Sequence, residues 1–310
     1  MAAAPISRIE IIETSARIGH HIRRSPLVDL GDALDAGFNL SLKLESIQPT
    51  GSFKVRGAFS ALTASIMPER GVVAASGGNF GLAVAYAANE MGIPATIFAP
   101  ATSPGEKLDR IEALGAQLHR VSGQYPAALE AAINHAKDDG SRQLHAYDQR
   151  EVVAGQGTCG LEISDQAPDA STVLVAVGGG GLIAGIASAL DGMCKVVGVE
   201  PEKCPTLHSA RAAGRPVEVE VGGIAVSSLG ASRIGQIAWE TNHLIDGSVL
   251  VTDDDLVEAQ RWLWESCRLV AEPAAAAPVA ALLAGAYRVM PGENVVCVVS
   301  GANTDPKLVA

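Results

Sequence analysis

The fold is decided by the stretch Val173-Leu174-Val175-Ala176-Val177-Gly178-Gly179-Gly180-Gly181-Leu182-Ile183-Ala184. Its first five residues are apolar and rich in valine, which predicts a buried strand, and its last three open an apolar helix. The four glycines permit close backbone approach and positive φ, so this turn can hold a phosphate at the helix N-terminus. Such a turn can also be purely structural. The strand–turn–helix order predicts an α/β protein with helices covering parallel sheets.

Two other apolar runs end in small polar residues. Val72-Val73-Ala74-Ala75 leads into Ser76-Gly77-Gly78-Asn79, followed by a helical pattern. A turn between a strand and a helix start surrounds a small anion such as a carboxylate with backbone N–H groups. Val295-Val296-Cys297-Val298-Val299 ends in Ser300, which places a hydroxyl at the end of a buried strand, where α/β proteins bind ligands.

One lysine lies in an unusual context, Pro49-Thr50-Gly51-Ser52-Phe53-Lys54-Val55-Arg56-Gly57-Ala58. A lysine between an aromatic residue and small residues can point into a pocket, where desolvation favours the neutral amine that attacks carbonyl groups. A flexible loop lysine near a helix start is the alternative. A pocket amine, a carboxylate nest, a phosphate nest and a strand-end hydroxyl together fit an amino acid joined to a phosphorylated aldehyde. Pyridoxal phosphate is the candidate cofactor.

With these motifs in order, the chain resembles the fold-type II pyridoxal-phosphate enzymes, in the branch of serine/threonine dehydratases and serine racemases. The resemblance extends from Ser25 to Ser300. It rests on the lysine motif, the Ser76 turn, the tetraglycine turn and Ser300, and on two further motifs, Ala154-Gly155-Gln156-Gly157-Thr158 and Glu272-Pro273-Ala274. It implies a fold like that of the tryptophan synthase β chain, with two lobes, each built on a mostly parallel sheet covered by helices. Residues 1–70 and 149–310 would form a large cofactor-binding domain and residues 71–148 a small domain.

The resemblance assigns roles in cofactor binding. Lys54 would carry the cofactor and then remove the α-proton of the substrate, and Phe53 would line the ring pocket or only pack in the core. Asn79 would bond the ring hydroxyl, and Ser300 the pyridine nitrogen. The phosphate would be held by the tetraglycine turn and the amide that follows it, namely Gly178, Gly179, Gly180, Gly181 and Leu182.

It also assigns roles toward the substrate. The substrate carboxylate would be bound by Ser76, Gly77 and Gly78. Ser227 matches a segment that touches substrate, and a plain loop serine is the alternative. Glu272 would lie near the cofactor ring or cap the helix after it.

The match to the family is incomplete at the metal site. In the racemases a glutamate at the position of Glu200 binds a divalent cation, together with a carbonyl four residues on and an aspartate six residues on. In this chain those positions are Cys204 and Thr206. Because hard cations favour charged oxygen ligands, a hydroxyl is a poor replacement and a divalent cation is doubtful here.

The chain departs from the family on the substrate side as well. Phe80 follows Asn79 where these enzymes usually have histidine, and Leu82 replaces a glutamine, so the pocket is more apolar. Racemases carry a second acid, a serine, directly after the residue matching Ser76, whereas this chain has Gly77. These differences favour elimination over inversion of the α-carbon.

Composition limits the partners and the location. The formal net charge of −11 argues against nucleic acid and anionic membranes as partners. Five cysteines without a C-x-x-C pair argue against a disulfide framework and fit a reducing cytoplasm. The N-terminus lacks the apolar core of a signal peptide, and no apolar run has the length of a membrane span. The expected partners are an amino-acid substrate and a second copy of the chain in a homodimer.

The favoured function is a pyridoxal-phosphate lyase that converts a β-hydroxy amino acid, such as L-threonine or L-serine, to the α-keto acid and ammonia. An amino-acid racemase is the alternative among enzymes. An α/β protein that binds a nucleotide or another phosphate is the alternative outside this chemistry. Glu200 lies at the distance from the glycines where a nucleotide binder carries its acidic ribose ligand, but such a protein has no need of Lys54.

Overall fold

Ten strands and twelve α-helices make up the computed structural model, which describes residues 5–308. The strands, in chain order, are β1 (Leu27–Asp29), β2 (Asn39–Leu44), β3 (Val72–Ala75), β4 (Ala95–Pro100), β5 (Gln117–Val121), β6 (Arg142–Leu144), β7 (Thr172–Ala176), β8 (Lys195–Pro201), β9 (Gly247–Val251) and β10 (Asn294–Val299). The helices are α1 (Arg8–Ile18), α2 (Lys54–Thr63), α3 (Asn79–Met91), α4 (Gly105–Ala113), α5 (Tyr125–Asp139), α6 (Arg150–Gln166), α7 (Gly181–Leu190), α8 (Thr206–Ala213), α9 (Val226–Leu229), α10 (Gln236–Glu240), α11 (Asp253–Cys267) and α12 (Pro273–Leu283).

The strands form two sheets. The larger sheet has six strands in the order β1-β2-β10-β7-β8-β9, and only its edge pair β1–β2 is antiparallel. The smaller sheet has four parallel strands in the order β5-β4-β3-β6. All residues of β3 and β7 are buried, as expected for parallel strands covered by helices on both faces. The predicted α/β fold class is therefore confirmed.

The two sheets do not have wholly separate cores. The strands of the smaller sheet all lie between residues 72 and 144, within the predicted small domain. Their core, however, also contains Ile18, Phe59 and Val152, which the prediction assigned to the large domain. The domain boundaries at residues 70/71 and 148/149 stay a prediction, and residues 1–4 and 309–310 lie outside the described part of the chain.

Helix α4 begins differently from its sequence pattern. Ser103-Pro104-Gly105-Glu106 predicts a capping box with Ser103 at the N-cap and Pro104 in the first turn. In the structure the helix begins at Gly105, Pro104 is the N-cap, and no side chain caps the helix. This prediction was wrong by one residue, and the shift frees the Ser103 hydroxyl from a capping role.

A buried group of charges supports the segment that carries Lys54. Arg56, in the first turn of α2, pairs with Glu45 at 2.7 Å and with Glu162 of α6 at 2.8 Å, and Lys43 pairs with Glu162 at 2.6 Å. Both cations are fully buried, and their two carboxylate partners balance them. Charges buried in this way must stay paired, so the group fixes the start of α2 relative to α6. No helix within residues 5–308 is both long and apolar enough to cross a membrane.

Candidate active site

Lys54 lies at the start of α2, beside the carboxyl end of the central strand β10. Ser52 forms an isolated bridge with Gly301, and the Phe53 amide donates to the Ser300 carbonyl at 3.0 Å. Two backbone contacts thus hold the residues before the lysine against the strand end. The structure thereby brings together the lysine and the strand-end hydroxyl, two features that the sequence separates by about 250 residues.

The Lys54 amino group lies in a largely apolar setting. The side chain is half-buried, and its Nζ donates to the Ala146 carbonyl at 2.9 Å. Nζ lies 5.0 Å from the centre of the Phe53 ring and 5.8 Å from that of Phe80. Burial lowers the pKa of the Lys54 amine from 10.5 to about 8. A sizeable neutral fraction therefore exists near physiological pH, as a nucleophilic or basic amine requires.

The tetraglycine turn is enclosed by neighbouring atoms. A Cβ on Gly179 would lie 2.2 Å from the Tyr147 ring, and one on Gly180 would lie 2.5 Å from the Ala238 Cβ. Gly180 also has a φ of 86°, a conformation that favours glycine. Only glycine fits these positions, so the turn presents backbone rather than side chains.

The backbone of this turn is oriented toward an anion. Its carbonyls face the protein, since Gly179 accepts from the Gly235 amide at 3.0 Å and Gly178 accepts from the Thr206 hydroxyl. The first amides of α7 have no partner within the helix and carry the positive end of its dipole. A phosphate fits this cradle, with Leu182 in the first turn.

Tyr147 covers the tetraglycine turn. Its ring contacts Gly179, and its carbonyl lies 2.8 Å from the position of a Cβ on Gly181. Burial raises the pKa of the Tyr147 phenol to about 12, so it stays protonated near neutral pH. The preceding residue, Ala146, holds the Lys54 amine. One short segment therefore joins the lysine to the tetraglycine turn.

Asn79 is held in place from two sides. Its Nδ2 donates to the Glu272 carboxylate at 2.8 and 3.0 Å, and its Oδ1 accepts from Asn303 Nδ2 at 2.9 Å. Asn79 is 9% exposed and is the first residue of α3. Its amide orientation is thus fixed before any ligand arrives.

Glu272 is a central residue of the site rather than a helix cap. It is the N-cap residue of α12 by position, but its side chain makes no capping bond. Besides Asn79, it accepts from the Ser228 hydroxyl at 2.9 Å and pairs with Lys107 of α4 at 3.4 Å. Glu272 therefore connects α4 and α9 to Asn79. No role for Lys107, Ser228 or Asn303 could be predicted from the sequence, because the bonding partner of each residue lies more than 40 positions away along the chain.

The Ser76 turn forms a second, more open nest. Gly78 donates its amide to the Ser76 hydroxyl at 3.2 Å and is the N-cap residue of α3. A Cβ on Gly78 would meet the Ser227 carbonyl, at 3.3 Å, as its nearest neighbour. Ser227 is exposed and only its carbonyl lies near Gly78, whereas the adjacent Ser228 directs its hydroxyl to Glu272.

Ser300 lies at the end of β10 and is 6% exposed. Its carbonyl accepts from Phe53, but its hydroxyl has no hydrogen-bond partner among residues 5–308. The hydroxyl of this buried residue can therefore donate to, or accept from, a ligand. The free hydroxyl beside Lys54 and the glycine cradle fits the ring of pyridoxal phosphate.

Glu200, the candidate metal ligand, accepts hydrogen bonds from the first turn of α8. Its carboxylate accepts from the Leu207 and His208 amides at 2.7 and 2.8 Å and from the Thr206 hydroxyl at 3.2 Å. It thus caps the N-terminus of α8, and burial raises its pKa to about 7. In the described part of the chain, no three or more histidine, cysteine, aspartate or glutamate residues are grouped so that they could hold a metal ion.

Known proteins share both the sequence and this geometry. Residues 18–301 match the model of the family described as pyridoxal-phosphate dependent enzyme. An L-threonine ammonia-lyase of Thermotoga maritima is 37% identical over 88% of this chain and 69% of its own length. A catabolic L-threonine dehydratase of Staphylococcus aureus is 36% identical over 97% of this chain and 90% of its own length.

Solved structures agree with these relatives. The crystal structure of a T.th. threonine deaminase superimposes with a TM-score of 0.90 at 34% identity, covering 96% of this chain and 99% of that one. Maize serine racemase gives a TM-score of 0.92 at 28% identity, covering 97% and 95%. The family match, over residues 18–301, includes all ten strands of both sheets. The chain therefore belongs to the fold-type II pyridoxal-phosphate-dependent enzymes, and pyridoxal phosphate is its cofactor.

Proposed function

We propose that this protein is an ammonia-lyase that acts on a β-hydroxy amino acid, with L-threonine and L-serine as the leading candidates. The substrate would lose water across its α- and β-carbons, and the released enamine would tautomerise and take up water to give the α-keto acid and ammonia. The observation that carries this proposal is the identity of 36–37% to L-threonine ammonia-lyases and dehydratases over most of the chain.

The residues of the site support the individual steps. Bound pyridoxal phosphate draws electrons from the substrate's α-carbon and so makes its proton acidic. Lys54, with its pKa lowered to about 8, is the group placed to hold that proton at Nζ. The tetraglycine turn and Leu182 would hold the phosphate, and Asn79 would bond the ring hydroxyl. Phe53 and Phe80 would enclose the ring and exclude water.

Ser300 would set the electronic character of the cofactor. A hydroxyl bonded to the pyridine nitrogen is neutral, whereas a carboxylate there would keep the nitrogen protonated. The weaker electron withdrawal disfavours a long-lived negative charge on the α-carbon. Prompt loss of a β-hydroxyl fits such a site better than transamination does.

The test is a steady-state assay over a panel of β-hydroxy amino acids. Keto acid and ammonia are measured in parallel and should appear in a ratio of one to one. Lys54→Ala protein is the control for cofactor-independent breakdown. Absence of both products with every member of the panel, for a protein that carries the cofactor, would remove the lyase proposal.

A racemase is the second candidate, supported by the superposition on maize serine racemase. Gly77 itself offers no proton on the face opposite Lys54, which counted against a racemase. The structure places the Ser103 hydroxyl beside Gly77, so the absence of a side chain at Gly77 does not exclude proton return to that face. Incubation of L-serine and L-threonine in deuterium oxide, followed by chiral analysis of the remaining substrate, separates the two activities. We expect keto acid to exceed deuterated D-enantiomer.

We also propose that the protein is a cytoplasmic homodimer. All five cysteines are free, which fits a reducing compartment. Ile9 and Ile12 on α1 are 69% and 50% exposed, and such neighbouring apolar side chains often mark a contact between subunits. Size-exclusion chromatography with light scattering should give twice the mass of one chain, and Ile9→Lys should lower that mass. A monomer at micromolar concentration would contradict this assignment.

A further inference from the structure

The space next to Gly77 is filled by a hydroxyl that comes from another part of the chain. A Cβ built on Gly77 would lie 2.0 Å from Ser103 Oγ, 2.5 Å from Ser103 Cβ and 3.2 Å from Ala99 Cβ. Ser103 follows β4 and precedes α4, and its amide donates to the Pro100 carbonyl at 2.9 Å. Ser103 therefore occupies the space that a side chain at position 77 would take.

The Ser103 hydroxyl is available for a ligand. It does not cap α4, because that helix begins two residues later without any side-chain cap. Ser103 is partly exposed, and its Oγ has no hydrogen-bond partner in the part of the chain that the structure describes. A hydroxyl that is neither used internally nor freely solvated, and that lies against a turn of backbone amides, is suited to donate to an anion.

The neighbouring Ser76 hydroxyl can also donate to a ligand. Its oxygen accepts from the Gly78 amide at 3.2 Å, which leaves its proton free to be donated outward. Ser103 Oγ lies against Gly77, which stands between Ser76 and the start of α3, so both hydroxyls are close to the first amides of this helix. Their shared chemistry matches a carboxylate, which can accept about four hydrogen bonds in its ionised form.

We propose that Ser103 is a substrate-binding residue whose hydroxyl donates to the α-carboxylate of the amino-acid substrate, together with Ser76. This inference deepens the proposed function, because it names a further contact for the same substrate, and it rests on the placement of the carboxylate at the Ser76 turn. The contact fixes the substrate by its carboxylate and is independent of the side chain that is eliminated.

The first experiment measures binding without turnover. Glycine carries the amino and carboxyl groups of the substrate but has no β-substituent to lose. Titration of the holoenzyme with glycine, followed by the absorbance of the cofactor, gives a dissociation constant. Hydrogen bonds to charged groups are the stronger class, so Ser103→Ala should raise this constant about tenfold or more. Thr102→Ala, which removes an exposed hydroxyl from the adjacent residue, should leave it unchanged.

The second experiment moves the hydroxyl from residue 103 to residue 77. Gly77→Ser alone should weaken glycine binding, because its Cβ would collide with Ser103. The double variant Gly77→Ser/Ser103→Gly removes this collision and places a hydroxyl in nearly the same volume. Its dissociation constant for glycine should recover to within a few-fold of the original. Recovery requires a hydroxyl that acts on the ligand, because a merely space-filling role would be restored equally by Gly77→Ala/Ser103→Gly.

Two results would overturn this inference. One is a Ser103→Ala protein that is correctly folded and binds glycine as tightly as the original. The other is equal recovery by the alanine and serine double variants, which would assign Ser103 to packing. Failure of the proposed lyase activity gives a different pattern, since glycine would still bind and shift the absorbance while no β-hydroxy amino acid is converted.

Discussion

The two glycine turns of the site look alike in sequence but differ in their surroundings. The tetraglycine turn after β7 is in close contact with the Tyr147 ring and the Ala238 side chain, and an added Cβ has no space there. The Ser76 turn after β3 lies beside the unpartnered Ser103 hydroxyl, and a Cβ on Gly78 would come no nearer than 3.3 Å to another residue. A closed turn suits a cofactor that stays bound, whereas an open one suits a substrate that enters and leaves at every cycle.

Lys54 lies between the two turns, and its removal should have the largest effect. Lys54→Ala should lower kcat by at least about 10³-fold, because both the covalent link to the cofactor and the base are lost. Borohydride reduction of the unmodified holoenzyme, followed by peptide mapping, should place the pyridoxyl group on Lys54. A label on another lysine, such as Lys107, would show that the site has been misassigned.

Exchange of single glycines tests the difference between the turns directly. Gly179→Ala should lose the cofactor on dialysis, because its Cβ would lie 2.2 Å from the Tyr147 ring. Gly78→Ala should keep the cofactor and raise KM, since the nearest neighbour of its Cβ is the Ser227 carbonyl at 3.3 Å. Cofactor absorbance after dialysis and steady-state kinetics report the two effects. Equal cofactor loss in both variants would mean that both turns hold the cofactor, rather than one the cofactor and the other the substrate.

The pH dependence of the apoenzyme tests the amine itself. The pKa of Lys54 is lowered to about 8, so the protonated form predominates below pH 8 and the reactive neutral form above it. Trace acetylation of the apoenzyme should therefore modify Lys54 with a midpoint near pH 8, whereas an ordinary lysine reaches its midpoint near 10.5. Quantitative mass spectrometry of the labelled peptides gives both curves. A Lys54 midpoint above about 10 would show that the amine is solvated.

Ser300→Ala should have a smaller effect on the cofactor side. The loss of one neutral hydrogen bond costs about 0.5–1.5 kcal/mol, which corresponds to roughly 2- to 13-fold weaker cofactor binding. Turnover should also slow. Ser300→Asp should instead keep the pyridine nitrogen protonated and raise transamination. An aspartate variant with unchanged rate and product ratio would show that this residue does not face the nitrogen.

Chelation should have the smallest effect. Both oxygens of Glu200 already accept bonds from the amides of α8, and Thr206 in turn holds the Gly178 carbonyl behind the tetraglycine turn. We therefore expect treatment with EDTA to leave activity nearly unchanged. Complete loss of activity that magnesium or calcium restores would show that a metal supports this turn after all.

The sequence predicted the parts of the site that follow strand ends. Strand β3 was predicted with its observed bounds, and the ends of β7 and β10 were predicted within one residue, because buried parallel strands are continuous apolar runs. Strands β1 and β2 were missed. Their pairing with each other and with β10 is a long-range property that a local pattern does not contain.

The connections between the motifs could not be predicted. Glu272 was expected near the ring or at a helix cap, but its bonds to Asn79, Ser228 and Lys107 depend on how α4 and α9 pack. The surroundings of Ser103 could not be predicted either. Its spacing predicted a local helix cap, and tertiary packing instead gave it a neighbour, Gly77, 26 residues earlier in the chain.

The position of β10 has a consequence for how the protein is made. This strand is the last of the larger sheet in the chain, yet it lies between β2 and β7. The two halves of the sheet can join only after residues 294–299 have been synthesised, and these contacts bridge more than 250 residues. Contacts of such long sequence separation slow folding. A nascent chain therefore cannot complete the larger sheet, or bring Ser300 beside the Lys54 segment, before residues 294–300 have been made.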